Sequence, residues 1–387
     1  MTSRLLRRLG FLASAVLTAA MSWGQVSQLE EGQNLFTEVC YRCHALSASD
    51  LGSLAPPIQT MSMARFTAGI WNQSHSMFRA FEIEGWKPPA LTQEEMSSIF
   101  LFTQVIAEEP AKGNAALGRR FVESNRCLAG HSVGDPGASG AMALDRFAYA
   151  AHPGVVMSAI WSHRRGMVSA FRDLGLPPPS FRRGDLANLV AYFEESGTPA
   201  ASVPLLMDLK AIHVEPELFS NFQCNRCHTP KEFTGRPERS HEEITEALLA
   251  HAFMPEFDRP PLSRLSLSAS ESMSLATLIS YYGRFDRSGQ RELGEEVFRR
   301  HDCVGCHDLP GEPDPDSDKV LISEIRNEWD FVTRTFNKVP LMLKKSQLEG
   351  RAFPRLSPED MRHLFAYLCD ASSECEPIVA SEAPSMP

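Results

Sequence analysis

Three stretches of the sequence place two thiols and an imidazole within five residues: Cys40-x-x-Cys43-His44, Cys224-x-x-Cys227-His228 and Cys303-x-x-Cys306-His307. Cysteines at this spacing lie about one helical turn apart, so both sulfurs reach the same side of one bound group. C-x-x-C-H is the pattern of covalent c-type haem attachment. The thiols bond the two vinyl groups, and the histidine that follows coordinates the iron. A lone C-x-x-C pair also reads as a redox dithiol or half a zinc site. Three copies, each with the histidine in register, favour haem, with His44, His228 and His307 as iron ligands.

A fourth stretch, Cys127-x-x-Gly130-His131, has a glycine in place of the second thiol. Either a haem is held there by one thioether, or the segment is an empty spacer with a free Cys127. An unpaired thiol is unusual in an oxidising compartment. Three haem c groups are expected, and a fourth if Cys127 carries one.

The elements around these motifs repeat. Shifting 70–102 by 90 positions places Trp71 on Trp161, Met77 on Met167, Gly85 on Gly175, Pro89 on Pro179 and Phe102 on Tyr192. Shifting it by 265 places Met77 on Met342, Gly85 on Gly350, Pro89 on Pro354 and Phe102 on Tyr367, again without a gap. Upstream, Gly32-x-x-Leu35-Phe36, Gly118-x-x-Phe121-Val122 and Gly294-x-x-Val297-Phe298 lead into a motif, as Leu218-Phe219 does before Cys224. Apolar pairs at this spacing make helices with one inward face. Thr92-x-x-Glu95 and Ser357-x-x-Asp360 open a closing helix.

These motifs and repeats make the chain similar to tandem small c-type cytochromes of the class I type, over nearly everything after the N-terminus. The resemblance implies an all-α fold of four cytochrome c-like modules, at 25–109, 112–200, 208–286 and 289–376. In each, a first helix runs into the haem motif and a last helix crosses it. A methionine is expected as sixth iron ligand, and Met77, Met167 and Met342 keep one register. Histidines near them do not: His75 and His163 differ by two positions in that register. With His152, they are expected to be packing or surface residues. In the third module Met254, before Pro255, resembles a Met-Pro ligand loop, and His251 one turn earlier is its rival. The second module supplies His131 and Met167. Haem attachment is then expected at Cys40, Cys43, Cys224, Cys227, Cys303, Cys306 and Cys127.

The remaining sequence bounds the setting. Residues 1–24 read as a secretory signal, with Arg4, Arg7 and Arg8 before a short apolar run, and the alternative is an uncleaved anchor. The run is short for a bilayer, and no later one is long enough. The expected location is periplasmic or otherwise exported, which suits haem attachment outside the cytoplasm. Polar linkers are expected at 108–114, 196–204 and 284–290, and a disordered tail at 377–387. Of nine cysteines, Cys369 and Cys375 lie outside the motifs, as a short-loop disulfide or as free thiols. The net charge of −10 makes nucleic acid an improbable partner and suits redox proteins with basic docking faces.

No Ser-His-Asp, phosphate-loop or metal-hydrolase arrangement occurs. Two filled axial positions leave an iron no room for substrate, so the expected function is electron relay between redox partners, without enzyme activity. The alternatives are a multihaem peroxidase or small-molecule oxidoreductase with one open haem, and a subunit docked on a respiratory complex.

Overall fold

The computed structural model describes residues 27–44, 60–107, 112–133, 143–144, 153–196, 212, 214, 216–237, 239–310 and 318–378. The secretory signal, His152, residues 379–387 and most of the first two expected linkers lie outside them. The described chain is mostly helical, in keeping with the expected all-α class. Among the described residues no helix is long and apolar enough to cross a membrane.

Among the described residues twelve α-helices form four units. Unit one contains α1 (Gln28–Leu35), α2 (Met63–Ile83) and α3 (Gln93–Ile106). Unit two contains α4 (Ala115–Ser124), α5 (Pro153–Asp173) and α6 (Asp185–Ser196). Unit three contains α7 (Glu217–Asn221), α8 (His241–Ala252) and α9 (Ala269–Arg284). Unit four contains α10 (Arg291–Arg300), α11 (Glu328–Leu348) and α12 (Pro358–Asp370). A two-residue parallel pair, β1 (His307–Asp308) with β2 (Val320–Leu321), accompanies unit four. Closing helices α3, α9 and α12 begin with capping boxes at Thr92, Ser268 and Ser357, where side chain and backbone satisfy each other's free donors.

The first helix crosses the last at a glycine in units one, two and four. A Cβ on Gly32, Gly118 or Gly294 would collide with the carbonyl oxygen of Ser98, Asn188 or His363. It would also come within 2.8, 2.7 or 2.6 Å of the Cβ of Phe102, Tyr192 or Tyr367. Only glycine lets the backbones approach this closely. Unit three replaces the contact with Phe219 packed against Leu278 and Tyr282.

The long helices α2, α5 and α11 each span 21 residues. All end at a left-handed glycine: Gly85 at φ 67°, Gly175 at φ 64° and Gly350 at φ 66°. The next residue bonds back over the last turn each time, Trp86 to Phe81, Leu176 to Phe171 and Arg351 to Ser346, at 2.8 Å. This closing loop needs φ above zero, which explains the glycines of the repeat.

The units associate in two pairs. In the first, α2 of unit one lies against α11 and α12 of unit four. Asn72 exchanges two hydrogen bonds with the backbone of Leu356 (2.7 and 3.0 Å), and Asn337 does the same with Leu91 (3.0 and 2.8 Å). The 265-position shift interconverts these contacts, so the seam has local two-fold character. In the second pair, α5 of unit two lies against α8 and α9 of unit three. Trp71 donates to Pro354 O across the first seam (2.7 Å), as Trp161 does to Leu265 O across the second (3.1 Å).

Two expectations need correction. Only the start of the stretch 284–290 departs from a solvated linker: Arg284 and Phe285 are buried and Asp286 accepts from Ala64 N at 2.7 Å, whereas Arg287, Ser288 and Gln290 are exposed between two helices. Polar composition conceals this because Asp286 and Arg284 are satisfied inside. The C-terminal segment also stays attached past 377, with Ile378 N donating to Glu328 at 2.9 Å.

Forcing a methyl group into the crossings should cost about 1–3 kcal/mol each. Gly118→Ala and Gly294→Ala are therefore expected to lower the thermal midpoint, and unchanged midpoints would show that the helices part freely. A second expectation concerns pH. Glu246 of α8 is buried, and its carboxylate accepts from Leu186 N (2.7 Å) and Gly184 N (3.0 Å) where α6 begins. Burial pushes this carboxyl from 4.5 up to about 7, against the pull of both donors, and Glu242 and Asp185 add repulsion. A carboxyl raised by folding favours the protonated form. Its stabilisation is thus full below about 4.5 and lost as pH rises through about 7. Denaturation midpoints should decline across that window, and Glu246→Gln should flatten the decline. An equal decline in the variant would assign the effect to other groups.

Candidate functional site

Three of the four motifs share one local conformation. Arg126, Gln223 and Asp302, each just before a first cysteine, adopt left-handed backbone at φ 57°, 60° and 56°. Non-glycine residues seldom sit there, so its recurrence marks a turn that the surroundings enforce. A single 3₁₀ turn follows at Cys127–Ala129, Cys224–Arg226 and Cys303–Gly305. In all four motifs the residue three after the first cysteine bonds back to that cysteine's carbonyl at 3.1 Å. The N–H of His44, His131 and His228 bonds to the same carbonyl at 2.9 Å. Unit one reaches this turn through a π-helical stretch, Phe36–Cys40, without a left-handed residue.

Gly130 fits this pattern despite lacking a thiol. Its φ of −116° matches Cys227 at −127° and Cys306 at −122°. No atom lies within 4 Å of where its Cβ would stand. The turn therefore does not depend on glycine at this position.

Opposite each turn stands a long or middle helix. In unit two an apolar pocket separates the wall of Cys127, Gly130 and His131 from that of His163 and Met167. Phe171, Phe181 and Phe253 line its rim, the last from unit three. Met77 and Cys40 pack on one apolar cluster in unit one, which Met342 of unit four also joins. Met254 is 41% exposed, at the start of the short turn Pro255–Asp258 beyond α8. The largest cavity described, about 750 Å³, lies between units one, three and four and includes no motif residue.

Two histidine pairs span the clefts. The rings of His131 and His163 lie 5.9 Å apart at an interplanar angle of 70°. Those of His228 and His251 lie 6.0 Å apart at 71°. His75 and His163 are both exposed, as expected of surface residues, and His163 in addition faces the motif histidine. The available clue was a histidine one turn before the methionine in both units, which units one and four lack.

Hydrogen bonds orient these rings. His163 Nδ1 contacts Ala159 O, and His251 Nδ1 lies 2.8 Å from Ala247 O, each four residues back on its own helix. His228 Nδ1 lies 3.0 Å from Glu232 Oε2, and His307 Nδ1 lies 3.2 Å from Val320 O, brought there by the β1–β2 pair. A ring that donates through Nδ1 keeps Nε2 free as a metal ligand. Burial holds the His44, His163 and His307 imidazoles below their ordinary value, which favours the neutral, ligating form.

Compared with protein-family models, curated proteins and solved structures, the chain matches none.

The thiols narrow the chemistry. Burial pushes Cys40 up to about 12, and Cys127, Cys224 and Cys303 up to about 11. Redox dithiols and zinc sites both use thiolates, which burial disfavours here. Among the described residues no three His, Cys, Asp or Glu side chains converge on one point. A structural zinc needs four protein donors. In units two and three the clefts bring together two imidazoles, one from each wall. Cys369 and Cys375 are disulfide-bonded with Cα atoms 5.3 Å apart, one of the two expected alternatives.

Aromatic rings connect the clefts. Phe257 lies 5.6 Å from both His251 and Trp161, across the seam of units two and three. From His228 a series runs through Phe233, Phe219, Tyr282 and Tyr281 to Trp329 in unit four, in steps of 5.7, 5.9, 6.4, 6.2 and 6.3 Å. Trp329 Nε1 donates to the Tyr281 hydroxyl at 2.8 Å, which joins the two pairs.

Because a side chain at position 130 meets open space, Gly130→Cys should change stability by no more than about 0.5 kcal/mol. Denaturant titration of the variant checks this. A loss comparable to that of the helix-crossing glycines would mean that the turn requires glycine.

Proposed function

We propose that this chain is an exported multihaem c-type cytochrome that relays single electrons between redox partners. One observation carries the reading: four cysteine–histidine turns close on the carbonyl of their first cysteine, and in units two and three the motif histidine faces a second histidine on the opposite helix. The cofactors are haem c at Cys40/Cys43, Cys224/Cys227 and Cys303/Cys306, with a fourth on Cys127 alone.

Bound haem would supply the one-electron chemistry of its iron. The chain's own residues do the rest. Thiols tether the group and stop its loss. His44, His131, His228 and His307 would each offer an imidazole nitrogen from the motif wall, with Nδ1 of His228 and His307 already occupied by Glu232 and Val320 O. The opposite wall supplies a second donor, and apolar residues such as Phe121, Phe171 and Phe181 keep water off the inner faces. With donors on both sides no coordination position is left for substrate, which favours electron carriage over a peroxidase-type site. The close packing of the pairs supports transfer within the chain, and its net charge of −10 suits a donor or acceptor with a basic face.

The test is the intact mass of exported, denatured protein. Four haem increments are expected, and Cys127→Ala should remove one. Three increments in the parent would leave unit two without haem, and an apoprotein mass would overturn the proposal.

A further inference from the structure

We propose that His163 and His251, rather than Met167 and Met254, are the second iron ligands of units two and three. On the haem reading above, the chain then holds a bis-histidine pair of sites beside a histidine–methionine pair in units one and four.

The geometry agrees between two units whose sequences do not align in this region. An imidazole nitrogen stands roughly 2 Å from a bound metal ion, so rings on opposite sides of one ion have centroids about 6 Å apart. The observed separations are 5.9 and 6.0 Å. Both rings must contain the metal–nitrogen axis but remain free to rotate about it, so the angles of 70° and 71° are allowed.

Orientation adds a second argument. His163 and His251 each turn Nδ1 to the carbonyl of an alanine four residues back, Ala159 and Ala247. Such a bond fixes a coordinating histidine and leaves Nε2 for the metal. The methionines fit less well. Met254 lies beyond the end of α8, on an exposed turn. Met167 is one turn further along α5 than His163, which already faces His131. In units one and four no histidine stands one turn before Met77 or Met342, and the methionines keep the role.

The assignment has a functional consequence. Methionine on the iron raises the reduction potential relative to histidine. The low-potential sites would be the two units packed together through α5 and α8, and the high-potential sites the two packed through α2 and α11. Electrons would therefore enter at units two and three and leave from units one and four.

Near-infrared magnetic circular dichroism and paramagnetic resonance of the oxidised holoprotein test this, because the methionine-sulfur-to-iron transition marks each His/Met haem. Two such haems and two bis-histidine haems are expected. Met77→Leu and Met342→Leu should each remove half of the sulfur signal, whereas Met167→Leu and Met254→Leu should leave it unchanged. A sulfur signal from three or four haems, or one that falls with Met167→Leu or Met254→Leu, would overturn the assignment. In that case haem is still bound, so the result is distinct from a colourless preparation, which would end the functional reading itself.

Discussion

The clefts depend on how closely the first helix of a unit can lie against its last. At Gly32, Gly118 and Gly294 the backbones touch, and a single added carbon would meet a carbonyl oxygen. The cysteine–histidine turn follows directly on that first helix, so the crossing fixes where the turn stands. The opposite wall is set separately, by long helices stopped at Gly85, Gly175 and Gly350. Glycine thus acts in two ways here. At the crossing it removes steric bulk, and at the helix ends it permits a left-handed residue. Together these fix the separation between the two walls, which the proposed metal bound from both sides would require to be constant.

Pairing of units builds on the same walls. The helices that meet at the seams, α2 with α11 and α5 with α8, are those that carry the proposed second ligands Met77, Met342, His163 and His251. Each seam therefore brings two clefts together by their distal sides, with aromatic side chains between them. Trp71 stacks on Phe353 at 4.5 Å in one seam, and Phe257 bridges Trp161 and His251 in the other. The reciprocal asparagine contacts of units one and four show how such a seam arises from repeated sequence. Related copies offer the same side chain to the same backbone position, and a two-fold arrangement satisfies both at once.

Much of this was legible in the residues. The gap-free shifts of 90 and 265 positions located the helix ends, the crossing aromatics and the equivalent tryptophans, because each reflects a local geometric need. What escaped was long-range or site-specific. Nothing in the spacing says that unit one seats itself on unit four, 265 positions away. Arg284, Phe285 and Asp286 looked like linker because a polar composition does not reveal that its charges are satisfied inside an interface. His163 was discounted because it leaves the register that the methionines keep. That reasoning assumed one ligand position for all copies. His75 and His163 are both exposed, and only His163 lies beside a motif histidine, His131.

The altered motif of unit two follows from the same division of labour. The turn is shaped by Arg126 in its left-handed conformation and by bonds to the Cys127 carbonyl, neither of which involves the side chain at position 130. Losing that thiol leaves the imidazole, the opposite wall and the apolar pocket where they are. A first covalent bond makes every later contact of the bound group intramolecular, with a correspondingly high effective concentration. A second bond adds much less. On the proposed reading the donors on both walls would gain that advantage from Cys127 alone, so unit two could keep its haem without a second thiol.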